Sequence, residues 1–136
     1  MYIVPVEVKA SSINGKGVFA KQDIKKGAIV WQYTEDHDKK MSTQAFKQLD
    51  DSTKKALQRV AYLSPTSGMW VIPPDDDPAY YTNHNSNTHN TAVMVDSKLS
   101  DEPIFFANRD IKSGEEITNN YLEFDTNTKP KSFDWL

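Results

Sequence analysis

The chain has 136 residues, which is enough for one domain with its own core and too short for two comfortable ones. The net charge is −3, which argues against nucleic acid as the main partner because phosphate binding draws on basic surface. The absence of cysteine excludes disulfides, thiolate zinc sites and a cysteine nucleophile.

Short strands separated by turns are predicted for the first quarter of the chain. Val4–Lys9 alternates in character and reads as a first strand. Asn14-Gly15 is a strong hairpin signal because both residue types tolerate positive φ. Val18–Ala20 and Ala28–Tyr33 read as further strands, with a tight turn at Asp23–Gly27 between them. A spacing of about ten residues between strands is typical of a mostly β protein.

Two short helices are predicted next, at Ser42–Leu49 and Ser52–Leu63, because apolar residues recur there at helical spacing. Ser42 and Ser52 are the expected N-caps. We interpret the apolar helix faces as core, with a partner-binding face as the alternative. The helices would form an insert in a β framework.

The second half of the chain returns to strands. Met69–Ile72 reads as a strand, and the proline-rich segment Pro73–Pro78 is unsuitable for a helix or a central strand. Further strands are predicted at Thr91–Val95, Ile104–Ala107 and Ile117–Leu122. The whole chain therefore reads as mostly β.

One short turn sequence, Asp-Ile-Lys-x-Gly, occurs twice, at Asp23–Gly27 and at Asp110–Gly114. Each copy follows a short segment that contains phenylalanine and alanine. Two copies are too few for a solenoid. They predict two similar β units.

The polar stretch Tyr80–Asn90 lies between two strand-like segments and consists largely of amides, imidazoles and tyrosines. Asparagine and histidine offer donors and acceptors without formal charge, which suits a neutral heteroaromatic edge such as that of adenine. The alternative is a turn-rich loop in which asparagine side chains hydrogen-bond their own backbone.

Metal binding by this stretch is not expected. Asn83, Asn85 and Asn87 match the first positions of a calcium loop, but Thr88 and Met94 stand where glycine and an acidic residue are needed. The two histidines of the stretch could contact zinc, but no cysteine or evident third ligand accompanies them.

Several motifs together carry a family resemblance that none carries alone. They occur in the order Gly15–Ala20, Lys26–Tyr33, Tyr81–Ser86 and Phe106–Tyr121. This order resembles the SET-domain family of protein lysine methyltransferases, from about Val4 to Phe124. Its specific parts are the block Ala107–Tyr121 and the pair Asn83-His84.

The resemblance implies a fold. It implies a SET domain over residues 1–124, of the β-clip type, built from small twisted sheets with a helical insert at about residues 39–68. It also implies a C-terminal segment tucked under a loop near Asn83-His84. The tail, residues 125–136, would then be placed to close the lysine channel.

The resemblance also implies an activity, which is methylation of a lysine side chain on a histone or other protein with S-adenosyl-L-methionine as cofactor. Tyr121 would be the catalytic tyrosine, with Tyr33 as a second tyrosine that lines the site. Asn119, Phe124 and Trp135 would line the substrate channel, with Phe133 as a further candidate for its wall, although ordinary tail packing is the alternative for the aromatic residues. The cofactor site would comprise Lys16, Gly17, Val18, Phe19, Tyr81, Asn83, His84 and Tyr121.

Departures from the family pattern support a second hypothesis. The family often has Asn-His-Ser-Cys-x-Pro-Asn, but this chain lacks the proline, and its closing asparagine is either Asn87 or Asn90. Glu35 stands in place of a usual glycine, and Asn119 in place of a usual aromatic residue. The alternative is therefore a weak or inactive SET-like module that binds the cofactor, a peptide or both.

The expected partner is a protein or peptide with an accessible lysine, and neither a membrane nor a nucleic acid is an expected ligand. The N-terminal segment lacks the basic and apolar regions of a signal peptide, and no apolar run reaches the roughly 20 residues of a membrane helix. We therefore expect an intracellular protein, cytoplasmic or, in a eukaryote, nuclear.

Overall fold

The computed structural model describes residues 1–125, in which ten short strands form three small sheets and two helices lie between the fourth and fifth strands in the chain. The mostly β prediction is confirmed. The helices are α1 (Thr43–Lys47) and α2 (Asp51–Val60), and Pro78–Tyr81 and Tyr121–Glu123 form a first and a second 3₁₀ turn. The strands are β1 (Val6–Ala10), β2 (Lys16–Ala20), β3 (Ile29–Trp31), β4 (Lys39–Met41), β5 (Tyr62–Leu63), β6 (Trp70–Ile72), β7 (Asn83–His84), β8 (Thr91–Met94), β9 (Ile104–Ala107) and β10 (Glu116–Asn119).

The hairpin between β1 and β2 forms where the sequence predicts it. The two strands pair antiparallel, with Val6 opposite Ala20 and Ala10 opposite Lys16. Gly15 has a φ of 47°, a left-handed conformation that glycine adopts without a steric cost. The turn therefore sets the register of the first two strands.

The four-stranded sheet has the order β1-β2-β10-β7 and joins the two ends of the described chain. β10 pairs antiparallel with β2 on one side and parallel with β7 on the other. The last strand ends at Asn119, whereas the sequence predicts it to Leu122. The amide of Asn120 explains the early end, because its side chain accepts a hydrogen bond from the Leu122 N–H and starts the second 3₁₀ turn.

The predicted helical insert contains strands as well as helices. β4, β6 and β5 form a three-stranded sheet in that order, with Tyr62 opposite Val71. The predicted second helix is therefore too long, since it ends at Val60 and the chain continues as a strand. Its N-cap is Asp50 rather than Ser52, because the Asp50 carboxylate accepts from the Thr53 N–H at 2.7 Å.

The insert packs through its own small core. Ser42 caps α1 as predicted, and Phe46 of that helix stacks on Trp70 with ring centroids 4.3 Å apart. Ala61 and Ile72 are buried in the same cluster, and Leu57 packs against it. The prediction that the apolar helix faces are core is confirmed for α1 at Phe46, whereas α2 has no buried residue and packs on the cluster only through the half-buried Leu57.

The two copies of the repeated turn lie side by side and make equivalent contacts. Ile24 and Ile111 form an antiparallel bridge, with N–H to carbonyl distances of 2.7 and 2.8 Å. Asp110 accepts from the backbone N–H of Lys26, and Asp23 accepts from that of Ser113. This reciprocal pairing fixes the start of β3 relative to the start of β10.

The third sheet has the order β3-β9-β8 and contributes Trp31 and Phe105 to an aromatic core cluster, which residues of β5, β6 and the segment after β10 complete. The rings of this cluster meet mostly edge to face, a favourable geometry for aromatic pairs. The aromatic core cluster consists of Trp31, Tyr62, Val71, Phe105 and Phe124.

Candidate functional site

The pairing of β7 with β10 brings the polar stretch beside the last strand. The register places Asn83 opposite Thr118 and His84 opposite Asn119. One residue further on, the Asn85 N–H donates to the Asn119 carbonyl at 2.9 Å. The two segments that carry the family resemblance most specifically are therefore adjacent in space.

Asn83 is buried, with 5% of its surface exposed, and its side-chain amide lies among an excess of acceptors. Nδ2 lies 2.8 Å from Glu116 Oε2 and 3.1 Å from both Ser11 Oγ and the Lys16 carbonyl. The Asn14 carbonyl is 3.3 Å away. An amide carries two N–H donors, fewer than the acceptors that converge on it. The acceptors around Asn83 therefore outnumber the N–H groups that its amide supplies.

Gly17 lies against the same cluster for a steric reason. A Cβ at this position would approach Glu116 Oε2 to within 2.3 Å, well inside van der Waals contact. The Glu116 carboxylate is held there by the Ser11 hydroxyl, which donates at 2.7 Å. Glycine at this position therefore makes room for a carboxylate of the protein itself. The sequence analysis instead attributes this glycine to the close approach of a ligand, and that explanation stays a prediction.

We expect Gly17→Ala to lower the free energy of unfolding by about 1–3 kcal/mol, the usual cost of overpacking a filled site. Urea unfolding followed by circular dichroism measures the change. The double variant Gly17→Ala/Glu116→Ala is the control, because it removes the group that the new methyl meets. Its loss should be smaller than the sum of the two single losses by about 1 kcal/mol or more. Simple additivity would show that the contact with Glu116 is not the cause.

Tyr121 is fixed at both its backbone and its side chain. Its backbone N–H donates to His84 Nδ1 at 3.0 Å, and its hydroxyl donates to the Thr82 carbonyl at 2.5 Å. The ring centroid lies 5.0 Å from that of His84. Burial raises the pKa of the Tyr121 hydroxyl well above its ordinary value, so the group stays protonated at neutral pH.

Tyr33 follows β3 and packs against the aromatic core cluster, which Tyr121 also contacts. The Lys40 ammonium lies 4.5 Å from the Tyr33 ring centroid and 3.1 Å from Glu102 Oε2. Burial raises the pKa of Tyr33, while the nearby Lys40 charge acts in the opposite direction. The two predicted catalytic tyrosines thus both contact the aromatic core cluster. Tyr33 also lines a partly open cleft of about 250 Å³, together with Glu35, Lys40 and Asp101.

Two of the predicted channel residues have partners within the protein. Asn119 Oδ1 accepts from the Thr91 hydroxyl at 2.7 Å. Phe124 is 6% exposed and lies edge to face with Phe105 and Tyr121, at 4.6 and 5.7 Å between centroids. Phe124 therefore belongs to the core and also forms a wall next to Tyr121. Phe133 and Trp135 lie outside the described residues.

The remaining predicted cofactor residues lie along β2 and the first 3₁₀ turn. The Val18 side chain is fully buried in the core, and its backbone lies between the paired strands β1 and β10. Phe19 lies under the Lys9 ammonium at 4.6 Å, and the Lys16 ammonium lies 5.8 Å from the Tyr81 ring centroid. Lys16 and Tyr81 thus lie close to each other, beside the acceptor cluster around Asn83.

The structure distinguishes the two candidates for the closing asparagine. Asn90 is 1% exposed, donates to the Glu116 carbonyl at 2.7 Å and accepts from the Thr118 N–H at 2.9 Å. Asn87 is exposed and lies in a turn, where its N–H donates to Asn85 Oδ1. Asn90 is therefore the residue that closes the segment, and the loop before it is the turn-rich structure that the alternative interpretation predicts.

Sequence reasoning missed three groups of the site. Glu116 anchors Asn83, and the Thr82 carbonyl accepts from Tyr121. His89 reaches Glu123 across the second 3₁₀ turn, with 3.4 Å between Nε2 and Oε2. Glu116 could have been suspected from its place in the last motif, but nothing in the sequence pairs it with Asn83.

Within residues 1–125, no group of three or more histidine, aspartate or glutamate side chains is placed to hold a metal ion. The helices of this part of the chain are too short and too polar to traverse a bilayer.

Comparison with known proteins identifies the family. The family model named SET domain matches residues 15–122. A candidate histone methyltransferase of Plasmodium falciparum has a similar structure, with a TM-score of 0.57 and 20% identity over 87% of this chain and 93% of that one. At this identity the likeness shows the fold. No curated protein sequence gives a significant match.

Two structures of polycomb repressive complex 2 are also similar. A chain of the apo complex gives a TM-score of 0.68 at 25% identity, over 90% of this chain and 16% of that one. A chain of the humanized Chaetomium thermophilum complex bound to the inhibitor GSK126 gives a TM-score of 0.61 at 26% identity, over 89% of this chain and 15% of that one. This chain thus spans a small part of those two chains. The family match, which covers most of the chain, shows that the chain belongs to the SET domain family.

Proposed function

We propose that this protein methylates the side-chain amine of a lysine in a protein substrate, with S-adenosylmethionine as the methyl donor. The single observation that carries the proposal is the parallel pairing of β7 and β10. It supports the proposal because Tyr121 contacts His84, the neighbour of Asn83, so the residues that we propose to hold the donor and to orient the amine lie close together.

The acceptor cluster fits the amino-acid portion of the proposed donor. S-adenosylmethionine, when bound, supplies a methyl group on a positively charged sulfur and also carries an ammonium group. The carbonyls of Asn14 and Lys16 and the carboxylate of Glu116 are suitable acceptors for such a group. Asn83 would keep these acceptors in place by donating to them, and the ammonium would donate to their remaining lone pairs.

The amine of the substrate must be neutral to accept a methyl group. An unperturbed lysine has a pKa of about 10.4, so removing its proton at pH 7 costs about 4–5 kcal/mol. Transfer into apolar aromatic surroundings lowers that pKa by desolvation. Phe124 and the rest of the aromatic core cluster border Tyr121 and supply such surroundings. A strong general base is therefore not required.

The two tyrosines would position the amine. The Tyr121 hydroxyl donates a hydrogen bond to the Thr82 carbonyl, and a phenol oxygen also accepts hydrogen bonds, here from the N–H of the substrate amine. The Tyr33 ring lies 4.5 Å from the Lys40 ammonium, so its face suits the incoming lysine in its charged form, before the amine loses its proton. Alignment of this kind lowers the activation free energy by up to about 7–11 kcal/mol in favourable cases.

The test is incubation of the purified protein with methyl-labelled S-adenosylmethionine and protein mixtures, followed by mass spectrometry of lysine residues. Histones and a total cell lysate are the first mixtures to use, because the similar structures include a candidate histone methyltransferase. We expect label on lysine. Binding of the donor with no label on any protein would favour a binding module instead of an enzyme.

A further inference from the structure

One hydroxyl group joins the β1–β2 hairpin to the acceptor cluster around Asn83. Ser11 directly follows β1, and its hydroxyl donates to the Glu116 carboxylate, whose two oxygens lie 2.7 and 3.0 Å away. The same hydroxyl oxygen accepts from the Asn83 amide at 3.1 Å and from the Ile13 N–H at 2.9 Å. A serine hydroxyl has one proton and two lone pairs, so its whole hydrogen-bonding capacity is used here. The Ser11 proton can therefore point only at Glu116.

The neighbours of the Asn83 amide decide which way the amide faces. The Glu116 carboxylate and the carbonyls of Asn14 and Lys16 accept hydrogen bonds and have none to donate. All three groups lie within 3.3 Å of one end of the amide. That end must be the NH2 group, because an amide oxygen there would face three acceptors. The oxygen of Asn83 therefore points the other way.

The outward end of the amide is accessible to a ligand. Asn83 Oδ1 has no hydrogen-bond partner in residues 1–125. The enclosed side-chain atoms that lack a partner in this part of the chain lie elsewhere, on Trp31, Asp38 and Glu102, so Oδ1 is not enclosed. An amide oxygen accepts hydrogen bonds and cannot donate them. The position therefore suits a ligand that carries an N–H group.

We propose that Ser11 and Glu116 are positioning residues that hold the Asn83 amide with its oxygen toward the ligand. Glu116 Oε2 lies 2.8 Å from the NH2 group, and the Ser11 hydroxyl keeps that carboxylate in place. If either residue is removed, the amide loses an acceptor that fixes its direction, and a turned amide presents N–H groups to the ligand. The recognition of an ammonium group in this way rests on the proposed function, whereas the direction of the amide does not.

NMR spectra of the Asn83 side chain determine its direction in the absence of any ligand. We expect its NH2 protons to show nuclear Overhauser effects to the Ser11 side chain and to exchange slowly with water. Ser11→Ala and Glu116→Ala should each speed this exchange by about five-fold or more, which corresponds to the loss of one ordinary hydrogen bond. Ser12→Ala, at the exposed neighbouring serine, is the matched control and should leave the exchange rate unchanged.

Two ligands distinguish a positioning role from a general effect on the site. S-adenosylhomocysteine carries an ammonium group, whereas methylthioadenosine has the same adenosine and a thioether but lacks the amino-acid portion. We expect Ser11→Ala to lower the affinity for S-adenosylhomocysteine by about five-fold and to leave the affinity for methylthioadenosine unchanged, as measured by competition calorimetry. The double variant Ser11→Ala/Glu116→Ala should lose little more affinity than Glu116→Ala alone, because Ser11 acts through Glu116.

Unchanged exchange in both single variants, or NH2 protons without contacts to Ser11, would overturn the proposal. An equal loss of affinity for the two ligands would also overturn it, since that result shows a structural role alone. If one variant fails to fold, the other variant and the spectra of wild type still decide the matter. Amide spectra as expected in a wild-type protein that does not bind S-adenosylhomocysteine would instead refute the proposed function and support the direction of the amide.

Discussion

Tyr121→Phe should lower the rate of lysine methylation by about 100-fold or more, the contribution of a well-placed proton-transfer or orienting group, while the affinity for S-adenosylmethionine stays within a few fold. The substitution removes one oxygen atom, which in the structure donates to the Thr82 carbonyl. Without it, the substrate amine loses the acceptor that would orient it. Steady-state methylation with a labelled donor and calorimetry of donor binding measure the two quantities.

Tyr2→Phe is the matched control for this variant. The Tyr2 hydroxyl is also protonated and buried, and it shares a hydrogen bond of 2.6 Å with the Thr82 side chain. Both variants should lose about 1 kcal/mol of stability, since each removes a hydrogen bond to the same residue. Only Tyr121→Phe should lose turnover. Equal activity in the two variants would show that the Tyr121 hydroxyl has a structural role alone.

Asn83→Ala should weaken the binding of S-adenosylmethionine by at least about ten-fold and destabilise the fold by about 1–3 kcal/mol, because it leaves buried acceptors without their donor. The Glu116 carboxylate and the Lys16 carbonyl are the acceptors that lose most. Isothermal calorimetry and urea unfolding are the measurements.

Asn90→Ala is the control that separates the effect of Asn83→Ala on S-adenosylmethionine binding from its effect on stability. Asn90 is an equally buried amide that bonds to the backbone of β10 and not to the acceptor cluster. Asn90→Ala should lower the free energy of unfolding by a comparable amount, with a smaller loss of affinity for S-adenosylmethionine. If both variants lost affinity in proportion to their stability, Asn83 would have no specific part in binding.

Local chemistry made much of the fold predictable. Asn14-Gly15 specifies its hairpin because the turn needs positive φ, and Ser42 caps α1 because its side chain reaches the backbone three residues on. The predicted end of the second helix failed at Tyr62. That residue pairs with Val71 and packs into the aromatic core cluster, and such tertiary contacts override helical periodicity.

The site was predictable in its residues but not in its geometry. The motif order identifies Asn83 and Tyr121 through the family resemblance. No local sequence pattern predicts that the two-residue strand β7 pairs parallel with β10, more than thirty residues further along the chain. The contacts of Glu116 with Asn83 and of His89 with Glu123 depend on that pairing, so the sequence alone could not reveal them.

Titration of the nitrogen-15-labelled protein with S-adenosylmethionine, followed amide by amide in NMR spectra, tests most directly whether β7 and β10 build one binding site. We expect the largest shifts at residues 14–19, at Asn83 and His84, and at Tyr121, all with the same dissociation constant. Saturation of binding with no shift at these amides, or with shifts confined to the helical insert, would contradict the proposal that β7 and β10 build the binding site.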